Sequence, residues 1–129
     1  MVIAQKAVIK RGDKYLVLLR SLIKDFFPLH WDFSGGKLEP GETLEAGIVR
    51  EVKEETNLDI KPIKIISEFE YGLDANGQKK YHFNIYSVEV LSDNIKLSEE
   101  HADFRWATKE EILSLPRTPY FEAFFKDNP

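Results

Sequence analysis

The stretch GGKLEPGETLEAGIVREVKEETNL, from Gly35 to Leu58, constrains this chain more than any other part of it. Gly35-Gly36 and Pro40-Gly41 let the backbone bend tightly and come close to a ligand, so two turns are expected there. A helix should follow. Thr43 can serve as N-cap, Glu45 adds negative charge to the first turn, no proline interrupts Leu44 to Thr56, and Asn57 tolerates the left-handed conformation that ends helices. At about 100° per residue, Ile48, Val52, Glu51 and Glu55 share one arc roughly 100° wide, with Glu54 about 60° beyond it. A solvated helix would turn its glutamates away from the apolar stripe.

Carboxylates crowded beside a core-facing stripe repel one another and lose hydration, so something positive must neutralise them. Arg50, one helical turn before Glu54, can neutralise one of them. The rest call for a divalent cation. Mg2+ fits: it is hard, prefers oxygen ligands, and binds through a few carboxylates while taking phosphate oxygens from a substrate, with Mn2+ as the alternative.

Gly36, Glu42, Arg50, Glu51, Val52, Glu54, Glu55 and Leu58 stand in register with G-x5-E-x7-R-E-U-x-E-E-x-G-U, U being aliphatic. The pattern resembles the Nudix box. Asn57 replaces the late glycine, a mild departure because Asn can meet the same backbone demand. Trp31-Asp32-Phe33-Ser34-Gly35-Gly36 resembles the W-x-F-P-G-G entry of many Nudix members, with Ser34 in place of proline.

The resemblance implies an α/β fold, the Nudix α/β/α sandwich, with a mixed β-sheet flanked by helices. It also implies metal-dependent hydrolysis of a phosphoanhydride in a nucleoside diphosphate derivative. The small size and the W-x-F entry look most like MutT-type nucleoside triphosphate pyrophosphohydrolases. ADP-ribose, nucleotide sugars, dinucleoside polyphosphates and a non-catalytic nucleotide-binding module are the alternatives. On this likeness Glu51, Glu54 and Glu55 would bind magnesium, with the Gly35 carbonyl and Glu100 as further ligands. Arg50 would orient the carboxylates, and Glu42 would support them or bind a further ion. Glu51 or Glu54 would act as general base, with Glu99 or Glu100 as outside candidates.

Residue type and expected proximity add Trp31, Phe26 and Tyr81 as surfaces for stacking on a base, and Lys37 for a phosphate. Phe26, Phe27, Trp31 and Phe33 can equally be plain core, and His30, His82 and His101 read as structural.

Composition narrows the function classes. With 129 residues, 43% of them apolar and 31% charged, the chain is expected to form one domain, 1–129. A net charge of −4 argues against a broad basic face for nucleic acid and leaves a small phosphorylated substrate, with metal as counter-charge. No apolar run approaches a membrane span, the N-terminal stretch lacks the apolar block of a signal peptide, and there are no cysteines. A cytoplasmic monomer or homodimer, with no membrane partner, is the expectation.

Hydrophobic alternation predicts a hairpin of Val2–Lys10 with Tyr15–Arg20, then a loop over Ser21–His30. Strands are expected over Ile60–Tyr71, Tyr81–Leu91 and Phe104–Ala107, the first two joined by a turn carrying Asn76-Gly77. Thr108 and Glu111 form a capping box for a helix ending near Leu115-Pro116, and Pro119 opens a terminal helix over Tyr120–Lys126.

Overall fold

The first twenty residues of the computed structural model, which describes residues 1–129, enter two different sheets. Strand β1 (Val2–Val8) ends before Ile9; β2 (Lys10–Arg11) then turns back into β3 (Lys14–Arg20). The expected hairpin is therefore reduced to two pairs, Lys10–Tyr15 and Arg11–Lys14. Strand β1 instead lies parallel to β7 (Lys79–Val90) and antiparallel to β5 (Ser34–Lys37). The mixed first sheet runs β5-β1-β7-β6, with β6 spanning Ile60–Leu73. In the second, β3 pairs with β2, with β4 (Trp31–Asp32) and with β8 (His101–Thr108).

The switch follows from alternation. Successive strand residues face opposite sides. Ala7, Ile9, Leu16, Leu18 and Tyr86 enter one core with Ile48, Val52 and Leu58; Val8, Val17 and Ile85 enter the other with Phe33, Ile112, Phe121 and Phe124. The first core belongs to α1 (Leu44–Thr56), the second to α2 (Lys109–Leu113) and α3 (Phe121–Asp127). Ile48 and Val52, both 0% exposed, anchor α1 at about 1.5–3 kcal/mol each.

Helix α1 forms as its residues require. The Thr43 hydroxyl accepts the N–H of Ala46 at 3.1 Å, and Asn57, at φ 67°, turns the chain out of the helix. The capping box of α2 is also present, with Glu111 accepting from the Thr108 N–H at 3.0 Å and Thr108 accepting from the Glu111 N–H at 3.2 Å.

Two expectations need correction. Gly35-Gly36 is not a turn but part of β5, because its backbone must lie flat against β1: a Cβ on Gly35 would fall 1.9 Å from the Gln5 carbonyl oxygen. The terminal helix begins at Phe121, after Pro119 and Tyr120. The Thr118 N–H bonds the Trp31 carbonyl at 3.0 Å and the Tyr120 hydroxyl donates to Asp32, so this segment is tied to β4 before a helix can start.

Candidate active site

A cleft of about 370 Å³ opens on the first sheet beside the end of α1. Its floor follows from strand register. Ala4 lies between Lys37 of β5 and Phe83 of β7, and Lys6 lies between Gly35 and Ile85. Small residues at Ala4 and Gly35 keep the centre low, and Phe26, Tyr71 and Tyr81 stand around it.

Two α1 carboxylates enter this cleft, Glu51 and Glu55. Glu55 is 3% exposed and accepts from the Ser34 hydroxyl at 2.9 Å and the Gly35 N–H at 2.8 Å. Burial pushes its pKa up to about 7 against the opposing pull of Lys6 and those two donors. Glu51 is likewise raised by burial, with Arg50 opposing. A Cβ at Gly36 would meet the Glu51 carboxylate at 2.6–2.8 Å, so only glycine lets that side chain lie across β5.

Arg50 ties the remaining acids. It reaches Glu42 at 2.6 Å, Glu51 at 3.0 Å, Glu54 at 3.2 Å and Glu39 at 3.5 Å. Hydrogen bonding to Arg50 brings the Glu42 pKa down to about 2, and the same bond raises that of Arg50. Neither Arg50 nor Glu42 lines the cleft; they hold Glu51 from behind. Glu54 sits on the outer side of Arg50 with its side chain 59% exposed, as its offset on the helical wheel requires.

The other candidates divide. Phe26, Tyr81, Lys37, Gly35 and Glu100 all line the cleft, and Lys37 stands 5.8 Å from the Tyr81 ring centre. Glu100 is held by Lys24 at 3.3 Å, whereas Glu99 is exposed and outside the cleft. Trp31 is a correction: it packs against the α3 core, with the Arg105 guanidinium 5.9 Å from its ring, and takes no part in the cleft. Alternation along β4 turns its neighbour Asp32 into the cleft instead. His82 sits between Glu68 and Glu70 at 2.9 and 3.3 Å, and His30 bonds the Pro28 carbonyl at 2.9 Å. His101 is buried, and burial lowers its pKa to about 4, so it is neutral at pH 7.

Sequence reasoning missed Asp32. It is 1% exposed and takes Lys6 at 2.8 Å and Arg20 at 2.9 Å on one oxygen, Thr118 at 3.2 Å and the Tyr120 hydroxyl on the other. Burial alone would raise its pKa; the two cations and the hydrogen bonds bring it down to about 2. Its partners come from β1, β3 and the segment before α3, so no spacing could have joined them. An available signal was Lys6, a cation inside a strand whose other residues are uncharged.

The donor set suits a hard divalent ion. Glu51 and Glu55 offer carboxylate oxygens in a cleft where burial strips their hydration and raises their proton affinity, so a hard cation there replaces the solvation they have lost.

Comparison with known proteins identifies the class to which this mixed sheet, glycine strand and carboxylate helix belong. The family model described as NUDIX domain matches residues 3–127. The chain belongs to the Nudix family and is a Nudix hydrolase. It is 30% identical over 116 residues to a nucleoside triphosphatase NudI of Enterobacter sp. (strain 638), covering 84% of this chain and 82% of that one. The crystal structure of a MutT protein from Methanosarcina mazei Go1 superposes with a TM-score of 0.83 at 30% identity, over 98% of this chain and 94% of that one. The solution structure of the E. coli ORF135 protein gives 0.80 at 26% identity, over 98% and 89%.

Proposed function

We propose that this protein is a Mg2+-dependent nucleoside triphosphate pyrophosphohydrolase of MutT type, acting as one catalytic domain in the cytoplasm. The observation that carries this reading is the pair of half-buried Glu51 and buried Glu55, set against the glycines of β5 and opening into a cleft with aromatic walls. The relatives named as nucleoside triphosphatases support the substrate class. Mn2+ is the alternative metal.

Glu51, Glu55 and Glu54, with the Gly35 carbonyl and Glu100, are the residues to hold the metal. When bound, it withdraws charge from phosphoryl oxygens and lowers the pKa of a coordinated water. Glu51, with raised proton affinity and its other contacts fixed by Arg50, takes the proton from the attacking water. Lys37 meets the phosphates, and Phe26 and Tyr81 flank the base. No covalent nucleophile is needed, since phosphoryl transfer rests on positioning and charge neutralisation.

A screen of nucleotides with magnesium or manganese, identifying both products, tests this. Nucleoside monophosphate and pyrophosphate are expected from triphosphates, and Glu54→Gln should lose activity. A broad panel without turnover would end the reading. Heavy-oxygen water shows which phosphorus is attacked.

A further inference from the structure

We propose that the Asp32 end of the cleft reads a carbonyl oxygen on the substrate's base, so that keto-edged bases are preferred over amino-edged ones. The group meant is the one at pyrimidine C4 or purine C6, a carbonyl in uracil and hypoxanthine and an amino group in cytosine and adenine. The inference rests on the nucleotide-hydrolysing reading above and adds to it which base is selected, and through which residues.

The argument is a count of hydrogen-bonding capacity. A carboxylate has about four acceptor sites. Asp32 fills them with Lys6, Arg20, Thr118 and Tyr120. The Tyr120 oxygen also accepts the Phe33 N–H at 2.8 Å. The donors, by contrast, are in surplus. Lys6 uses one N–H on Asp32 and makes only a long 3.5 Å contact to the Phe33 carbonyl. Arg20 uses Nε on the Phe26 carbonyl at 2.9 Å and Nη1 on Asp32, which leaves Nη2 without a partner. Against these stand two acceptors, the Thr118 hydroxyl oxygen and the Glu100 carboxylate, the latter already held by Lys24 at 3.3 Å.

Geometry says that a base edge reaches this end. The rings of Phe26, Tyr81, Phe83 and Tyr120 follow one another at 6.2, 6.3 and 5.9 Å between centres, and the last hydroxyl donates to Asp32. A planar base lying along this aromatic wall, over the low floor at Ala4, turns its edge to Lys6 and Arg20. An amino group there sets donor against donor and leaves these N–H groups unmatched once the base covers them; a carbonyl oxygen satisfies them.

The test compares kcat/KM for two pairs that differ at this exocyclic group and in the proton on the ring nitrogen beside it, UTP against CTP and ITP against ATP, with Mg2+ present. The wild-type protein should favour UTP and ITP by roughly tenfold or more. Arg20→Gln and Lys6→Gln, each supplying an amide carbonyl as acceptor, should bring both ratios towards one. Equal or reversed wild-type ratios overturn the inference and leave the hydrolase reading standing. Variants that cut both members of each pair equally would show the cations serving phosphate instead, and overturn it too. Absence of turnover for all four nucleotides overturns the hydrolase reading and the base selection with it. The wild-type ratio needs no variant to fold.

Discussion

Arg50 and Asp32 are opposite solutions to the same problem. Arg50 is one cation among four carboxylates at the outer edge of α1; Asp32 is one carboxylate with two cations and two hydroxyls under the cleft. The first cluster is short of positive charge, and Glu51 holds its proton more tightly than a free carboxylate. The second has more than enough, and Asp32 gives its proton up more readily. Burial pushes both acids upward; at Glu51 it outweighs the pull of Arg50, whereas at Asp32 two cations and the hydrogen bonds outweigh it. Between them they leave one side of the cleft asking for a metal ion and the other offering donors.

The largest effect should come from breaking the Asp32 cluster. Asp32→Ala strands Lys6 and Arg20 in the interior without their counter-charge, so stability should fall by about 3–5 kcal/mol, read by denaturant titration. A loss below about 1 kcal/mol would show the cations relaxing into solvent.

Glu51→Gln should do the reverse. It removes a carboxylate that burial already disfavours, so the melting temperature should hold or rise while kcat falls by roughly 10²-fold or more. Stability loss without activity loss would make Glu51 structural.

Acid sharpens the contrast. The folded Asp32 pKa, about 2, lies below its ordinary value near 3.8. Its contribution is therefore complete above about pH 4 and is lost as pH falls through the folded value. Asp32→Asn should flatten the stability profile between about pH 4 and 2 relative to wild type, as unfolding measurements across that range would show.

The smallest effect is the control. The pair Arg105–Glu111, at 2.7 Å with side chains 39% and 42% exposed, should show almost no coupling in a double-mutant cycle. A larger value would mean that solvent screening is not what separates it from Asp32.

The helix α1 was legible because its determinants are local. Thr43, Asn57 and the spacing of Ile48, Val52, Glu51 and Glu55 lie within one segment, and their consequences appear where the wheel puts them. The route of β1 was not legible: Val2–Val8 alternates equally well as one arm of a hairpin or as an inner strand, and only the second core, built from α3, decides. Trp31 and Asp32 were exchanged for the same reason. Residue type suggested the tryptophan for the cleft, whereas strand alternation and the tie from β4 to Thr118 and Tyr120 send the aspartate there.

The central claim is that α1 presents carboxylates needing a cation, and calorimetric titration of Mg2+ into the metal-free protein measures this directly. The account predicts saturable binding in the wild type that is strongly weakened in Glu51→Gln and in Glu55→Gln and unchanged in Arg105→Gln. Binding that is absent, or equal in all four proteins, would contradict it.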